Sequence, residues 1–107
     1  MRFDVRLTQG AELDLEALYD WTARNRSRAE ADALLVALIS RTEALAEFPL
    51  RGSVPKELEA LGIADFRQVL LSPYRIIYRM VGEAVFIMVI ADGRRDMQAL
   101  LERRILG

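Results

Sequence analysis

Pro73-Tyr74-Arg75-Ile76-Ile77-Tyr78-Arg79-Met80-Val81-Gly82-Glu83-Ala84-Val85-Phe86-Ile87-Met88-Val89-Ile90-Ala91 is the stretch whose reading decides how this chain folds. In residues 74–81, Tyr74 and Tyr78 alternate with Arg75 and Arg79, so the aromatic and the charged side chains stand on opposite faces of one strand. Residues 84–91 are almost continuously apolar. A strand of that kind needs cover on both faces, which places it in the middle of a sheet. Gly82-Glu83 leaves room only for a tight turn, and Ser72-Pro73 separates the pair from another strand-like run at 66–71. Three antiparallel strands in a meander follow.

Working outward, residues 2–7 alternate strictly, with Phe3, Val5 and Leu7 on one face and Arg2, Asp4 and Arg6 on the other, as a half-buried first strand does. Thr8 is placed to cap a helix over 9–24, where Ala11, Leu15, Leu18, Tyr19 and Thr22 fall at helical spacing. Ser27 and Glu30 have the spacing of a capping box and start a second helix with Ala31, Leu34, Leu35, Leu38, Thr42 and Leu45 on its apolar face. That helix should end near Phe48, because Pro49 disfavours helical conformation in the residue before it. The short link between the helices implies an antiparallel hairpin.

Residues 49–64, with two prolines and two glycines, read as a connection holding one short helical turn around 56–61, and as the most mobile part of the chain. After Asp92-Gly93, residues 94–106 read as a terminal helix. The expected fold is therefore α+β, in the order β-α-α-β-β-β with a C-terminal helical tail. The helical hairpin packs on an antiparallel sheet, in a single domain over 1–107.

Composition narrows the chemistry. The chain is 52% hydrophobic and 29% charged, enough to fill a core and to keep a polar surface. It has no cysteine, so neither a disulfide framework nor a thiolate metal site is available, and a reducing cytoplasm is the expected compartment. It has no histidine, which removes the usual general acid/base and the commonest metal ligand; no cofactor or metal is expected. The net charge of -1 lacks the basic excess of a general nucleic-acid binder, so direct sequence-specific DNA binding is not expected. The longest apolar stretch, 84–91, falls far short of the roughly 20 residues that cross a bilayer.

The motif Pro73-Tyr74-Arg75-Ile76-Ile77-Tyr78-Arg79, the apolar strand after it and the segment Asp92-Gly93-Arg94-Arg95-Asp96 together resemble the signature of RelE/ParE toxins of type II toxin-antitoxin systems. The element order matches too, including the Pro/Gly loop Phe48-Pro49-Leu50-Arg51-Gly52 after the hairpin. RelE-like members cut mRNA in the ribosome; ParE-like members, often described as plasmid stabilisation proteins, inhibit DNA gyrase. The resemblance implies a cognate antitoxin, ParD-like or similar, whose disordered tail folds on the toxin.

An RNase working through the ribose 2′-hydroxyl needs a base, a donor to the leaving oxygen and positive charge around the phosphate. Arg75 and Arg95 match the family's arginine positions and would be the catalytic pair of such an enzyme. Where nucleases of the family place lysines, this chain has Phe66 and Gln68, and in place of their C-terminal tyrosine it has Leu101. That departure favours the ParE-like reading, gyrase inhibition without a catalytic group. A ribosome-dependent mRNA endonuclease and a degenerate non-toxic binding module remain the alternatives.

The candidate target-binding residues are Arg75, Arg79, Arg94 and Arg95. Each has a structural reading beside it. Arg75 can pair with Asp65, Glu83 or Asp92, Arg79 can be a solvated charge, and Arg94 and Arg95 can pair with Asp92 and Asp96. Tyr74 and Tyr78 read as core. Trp21 lies off the main stripe of its helix, open to a partner or packed on the hairpin. Arg103 and Arg104 read as favourable charges in a last helical turn.

Overall fold

A computed structural model describes residues 2–107. Its elements are β1 (Asp4–Leu7), α1 (Gln9–Asn25), α2 (Arg28–Glu43), α3 (Lys56–Glu59), β2 (Phe66–Leu71), β3 (Tyr74–Val81), β4 (Ala84–Asp92) and α4 (Met97–Leu101). A 3-10 turn, Ala44–Ala46, prolongs α2, and a π turn, Glu102–Leu106, prolongs α4.

The caps form as the side chains dictate. Thr8 Oγ accepts from the Ala11 amide at 3.2 Å, and Ser27 Oγ accepts from the Glu30 amide at 3.0 Å, so α1 and α2 each begin with an orphan backbone donor satisfied.

The sheet runs β1-β4-β3-β2, with β2, β3 and β4 antiparallel as the expected meander. The apolar strand β4 is indeed interior. Its other neighbour is β1, which pairs with it in parallel from Asp4 opposite Ala84 to Leu7 opposite Ile87. Alternation over 2–7 identified β1 as a strand but carries no information on its partner.

The hairpin packs on one face, where Ala11, Leu15, Leu38 and Leu45 meet Val69, Ile76, Tyr78, Val85, Ile87 and Ile90. The opposite face has its own core, in which Leu58 of α3 and Met97, Leu100 and Leu101 of α4 cover Phe66, Ile77, Val89 and Ala91. Two layers of cover explain why β4 lacks a polar face.

Several expected boundaries move: β1 begins at Asp4 rather than at residue 2, and α3 ends at Glu59 rather than at residue 61. The terminal helix begins at Met97 rather than at residue 94. The Arg95 amide bonds to Asp92 O at 3.1 Å, making a turn first, and Asp96 then caps α4 by accepting from Ala99 N at 3.1 Å. The regular part of α2 stops at Glu43, a turn before Pro49.

The Pro/Gly connection is anchored from within. The buried Tyr78 hydroxyl donates to Pro49 O at 2.6 Å and accepts from Gly52 N at 3.1 Å. Ser53 exchanges two backbone hydrogen bonds with Gln68, at 3.1 and 2.7 Å. Gly52 is required there, because a Cβ would meet Gln68 O and stand 2.7 Å from the Tyr78 hydroxyl.

Candidate functional site: the arginines of the sheet and tail

Arg75 and Ile77 of β3 point away from the hairpin, toward α3 and α4. There Arg75 is enclosed. Its Nη1 and Nη2 donate to the two Glu57 carboxylate oxygens, both at 2.8 Å, and its Nε donates to Gln68 Oε1 at 2.7 Å. The planar guanidinium fits a carboxylate in this two-pronged way. Only 12% of the Arg75 side chain and 10% of the Glu57 side chain are exposed. The Arg75 hydrogen bonds hold the Glu57 carboxyl below its ordinary range, against burial, which would raise it.

The expected partners of Arg75 were Asp65, Glu83 and Asp92. The structure supplies Glu57 instead, brought over the sheet by the short helix α3. Gly93 allows the tail to pass closely, since a Cβ there would stand 2.8 Å from Arg75 Cδ.

Asp92, at the end of β4, binds Arg94. Its Oδ1 accepts from the Arg94 backbone N and from Nε, both at 2.9 Å, and its Oδ2 accepts from Nη2 at 2.5 Å. These bonds lower the Asp92 carboxyl and keep the Arg94 guanidinium still more firmly protonated. The Arg94 side chain is nevertheless 77% exposed, so its charge faces solvent.

Arg95 is exposed, and its side chain has no hydrogen-bond or ion-pair partner among the described residues. It borders a cleft of about 220 Å³ between α1 and β4, lined also by Asp14, Leu18, Trp21, Ile90 and Asp92. Trp21 is 52% exposed, which settles its position as open rather than packed on the hairpin.

Arg79 lies elsewhere. It is exposed, with its guanidinium 5.7 Å from the centre of the Phe66 ring, a cation–π contact. Tyr74 pairs with Asp92 whereas Arg79 pairs with Phe86, so Arg79 sits roughly 17 Å along β3 from the Arg94/Arg95 turn, at about 3.4 Å per residue. Of the four arginines singled out by sequence, the structure brings Arg94 and Arg95 together at one turn, encloses Arg75 beneath it, and sets Arg79 apart.

One cluster escaped the sequence reading. Arg104, expected to be a simple end charge, donates to both oxygens of Asp14 at 2.9 and 3.1 Å and to Met88 O at 2.9 Å. Asp14 also accepts from Ile90 N at 2.9 Å. Beyond Leu7, β1 no longer covers β4, and these two side chains take up the backbone groups that a strand would have paired. Arg104 therefore ties the tail to α1 and the sheet. Sequence spacing of 90 residues gives no signal for such a pair.

A family model described as the ParE toxin of the type II toxin-antitoxin system parDE matches residues 5–97. No curated protein matches the chain. Among solved structures, the chromosomal ParDE toxin-antitoxin system of P. aeruginosa superposes with a TM-score of 0.72 at 18% identity, over 85% of this chain and 96% of that one. The toxin-antitoxin complex RelBE2 of Mycobacterium tuberculosis superposes with a TM-score of 0.62 at 23% identity, over 86% of this chain and 99% of that one. At these identities the two structures bear on the fold alone.

Proposed function

We propose, for a chain that belongs to the ParE toxin family of type II toxin-antitoxin systems, that it inhibits DNA gyrase by binding it, without catalysis of its own. A cognate antitoxin, ParD-like or similar, would hold it inactive.

The observation that carries this reading is the state of the layer between the sheet and α4. Some RNA-cutting members of the superfamily place lysines on the strand before the Tyr74–Arg79 motif and a tyrosine in the C-terminal segment, at the positions that here are Phe66, Gln68 and Leu101. In this chain Phe66 is 5% exposed, Leu101 is fully buried, and Arg75 is neutralised by Glu57 and held by Gln68. A phosphate becoming more negative in a transition state needs free positive charge in front of it. A guanidinium already spent on a carboxylate supplies little. The proposed target contacts are Arg94 and Arg95, with Trp21 beside them and Arg79 as a separate contact. Arg75 then acts on the target only through the shape of the turn above it.

The test is a supercoiling and cleavage assay of gyrase with the purified chain at micromolar concentration, with and without its antitoxin. Inhibition that the antitoxin relieves and that Arg95→Ala weakens is the expected outcome. Untouched supercoiling would overturn the gyrase reading.

The free Arg95 in its cleft favours a second reading, ribosome-dependent mRNA cleavage. Cleaved mRNA on programmed ribosomes, lost in Arg95→Ala, would establish that reading in place of the first. Expression without growth arrest would point instead to a non-toxic binding module.

A further inference from the structure

Asp14 stands where three elements meet. From α1 it accepts a hydrogen bond from Ile90 N of β4 at 2.9 Å, and its two oxygens take the Arg104 guanidinium of the tail at 2.9 and 3.1 Å. Only 17% of its side chain is exposed. Asp14 also lines the cleft of about 220 Å³ that holds Trp21 and Arg95, whereas Arg104 is not one of the walls.

The charges around this cleft are paired unevenly. Its walls carry two carboxylates, Asp14 and Asp92, and a single cation, Arg95. Arg94 takes Asp92 and Arg104 takes Asp14, and neither of these arginines lines the cleft. The Arg95 side chain is left without a partner among the described residues.

Burial decides which of the two pairings governs the cleft. In the Asp92 pair the arginine is 77% exposed, so water screens the attraction. Asp14 is more enclosed, and a carboxylate mostly out of water is costly without a counter-charge. Once Arg104 is removed, Asp14 keeps the Ile90 amide but has no cation, and the exposed guanidinium on the wall of the same cleft belongs to Arg95. The route of Arg104 to Asp14 is narrow. It passes so close over the first turn of α1 that a Cβ on Gly10 would stand 2.6 Å from Arg104 Nη2. Glycine, otherwise a poor residue inside a helix, leaves that route open.

We infer that Arg104 is a positioning residue for the target-binding face: by occupying Asp14 it keeps Arg95 free to meet the target. The inference rests on the proposed reading of Arg95 as a contact to gyrase. The tail then acts on the target through an exchange of partners rather than through a contact of its own. With the tail seated, Asp14 belongs to Arg104 and Arg95 faces outward. With Arg104 withdrawn, Asp14 draws Arg95 across the cleft, and the turn after Gly93 loses its free charge.

The first test is the gyrase supercoiling assay with the full-length chain, Arg104→Ala, and Arg104→Ala combined with Asp14→Asn. Arg104→Ala should inhibit about tenfold more weakly than the parent chain, the scale of one charge-assisted hydrogen bond. The double variant should recover most of the inhibition, because asparagine still accepts from Ile90 N but has no charge to draw Arg95. A tie that is merely structural gives the opposite order, since the double variant is left with even less to hold the tail. Inhibition by the double variant no stronger than by Arg104→Ala would overturn the proposal.

The second test does not depend on gyrase. Urea midpoints are compared for Arg95→Ala made in the parent chain and in Arg104→Ala. In the parent chain the midpoint should not move. In Arg104→Ala it should fall by roughly 0.3–0.5 M, because Arg95 there carries the charge of Asp14. Equal effects in the two backgrounds would refute the exchange of partners whatever the target is. Coupling between Arg95 and Arg104 in urea, together with a parent chain that leaves supercoiling untouched, would keep the exchange and overturn its role at gyrase.

Discussion

Removing Glu57 tests whether the enclosed ion pair is structural. With Glu57→Ala, Arg75 loses both carboxylate bonds of 2.8 Å and keeps only its bond to Gln68, while remaining largely out of water. Deleting one partner of a buried pair costs about 3–5 kcal/mol, because the surviving charge is stranded. The retained Gln68 bond and the residual 12% exposure of Arg75 put the expectation at the lower end, about 3 kcal/mol. Replacing both partners with apolar residues, Glu57→Leu with Arg75→Met, strands no charge and should cost less than either single change. Urea denaturation of the wild-type protein, Glu57→Leu, Arg75→Met and the double variant, with Glu57→Ala measured beside them, at neutral pH and followed by circular dichroism, closes the cycle. A loss below about 1 kcal/mol in Glu57→Ala, or single-variant effects that simply add, would refute the claim that Arg75 is spent inside the molecule.

The same pair sets an acid limb. The Glu57 carboxyl is lowered from its ordinary value of 4.5, so its contribution to stability is complete above that pH and is lost as pH falls through the lower, folded value. The urea midpoint should drop on acidification below 4.5 and drop less in Glu57→Gln; Asp92, whose partner Arg94 is mostly solvated, should contribute little. Gly52→Ala forces a Cβ against Gln68 O and the Tyr78 hydroxyl and should destabilise by about 1–3 kcal/mol, measured by the same denaturation. An unchanged midpoint would mean the loop does not pack so closely. Arg104→Ala should leave the hairpin intact but raise amide hydrogen exchange in α4 and at Ile90, because the tail loses its tie to Asp14 and Met88 O; unchanged protection would refute the tie.

Much of the fold was legible because it is written in local periodicity. Alternation marks β1, helical spacing and two side-chain caps mark α1 and α2, and unbroken apolarity marks β4 as interior. What escaped were relations between distant residues. Nothing near Asp4 to Leu7 says that they pair with β4 in parallel, and nothing near Glu57 says that it will meet Arg75. The tail misled for a related reason. Arg94 and Arg95 suit a helix in composition, but the carboxylate of Asp92 and the cap at Asp96 shape a turn first. At the candidate site, exposure of Arg94 and Arg95 follows from the turn after Gly93, whereas the enclosure of Arg75 depends on α3, an element of four residues.

Those distant relations bear directly on function. A fold shared across toxins of different activity leaves the chemistry to particular side chains. Beneath α4 this chain is packed, and the proposed reading without catalysis rests on that packing. Phe66 and Leu101 fill space, and Glu57 cancels the charge of Arg75. What remains outward is cationic and apolar: Arg94 and Arg95 at the turn with Trp21 beside them, and Arg51 and Leu70 at the far edge. Surfaces of that kind recognise other proteins through planar guanidiniums and large side chains. Arg95→Ala should therefore weaken inhibition in the gyrase assay while leaving the urea midpoint unchanged, since its side chain has no partner to lose among the described residues; a lowered midpoint would show that Arg95 holds the fold instead.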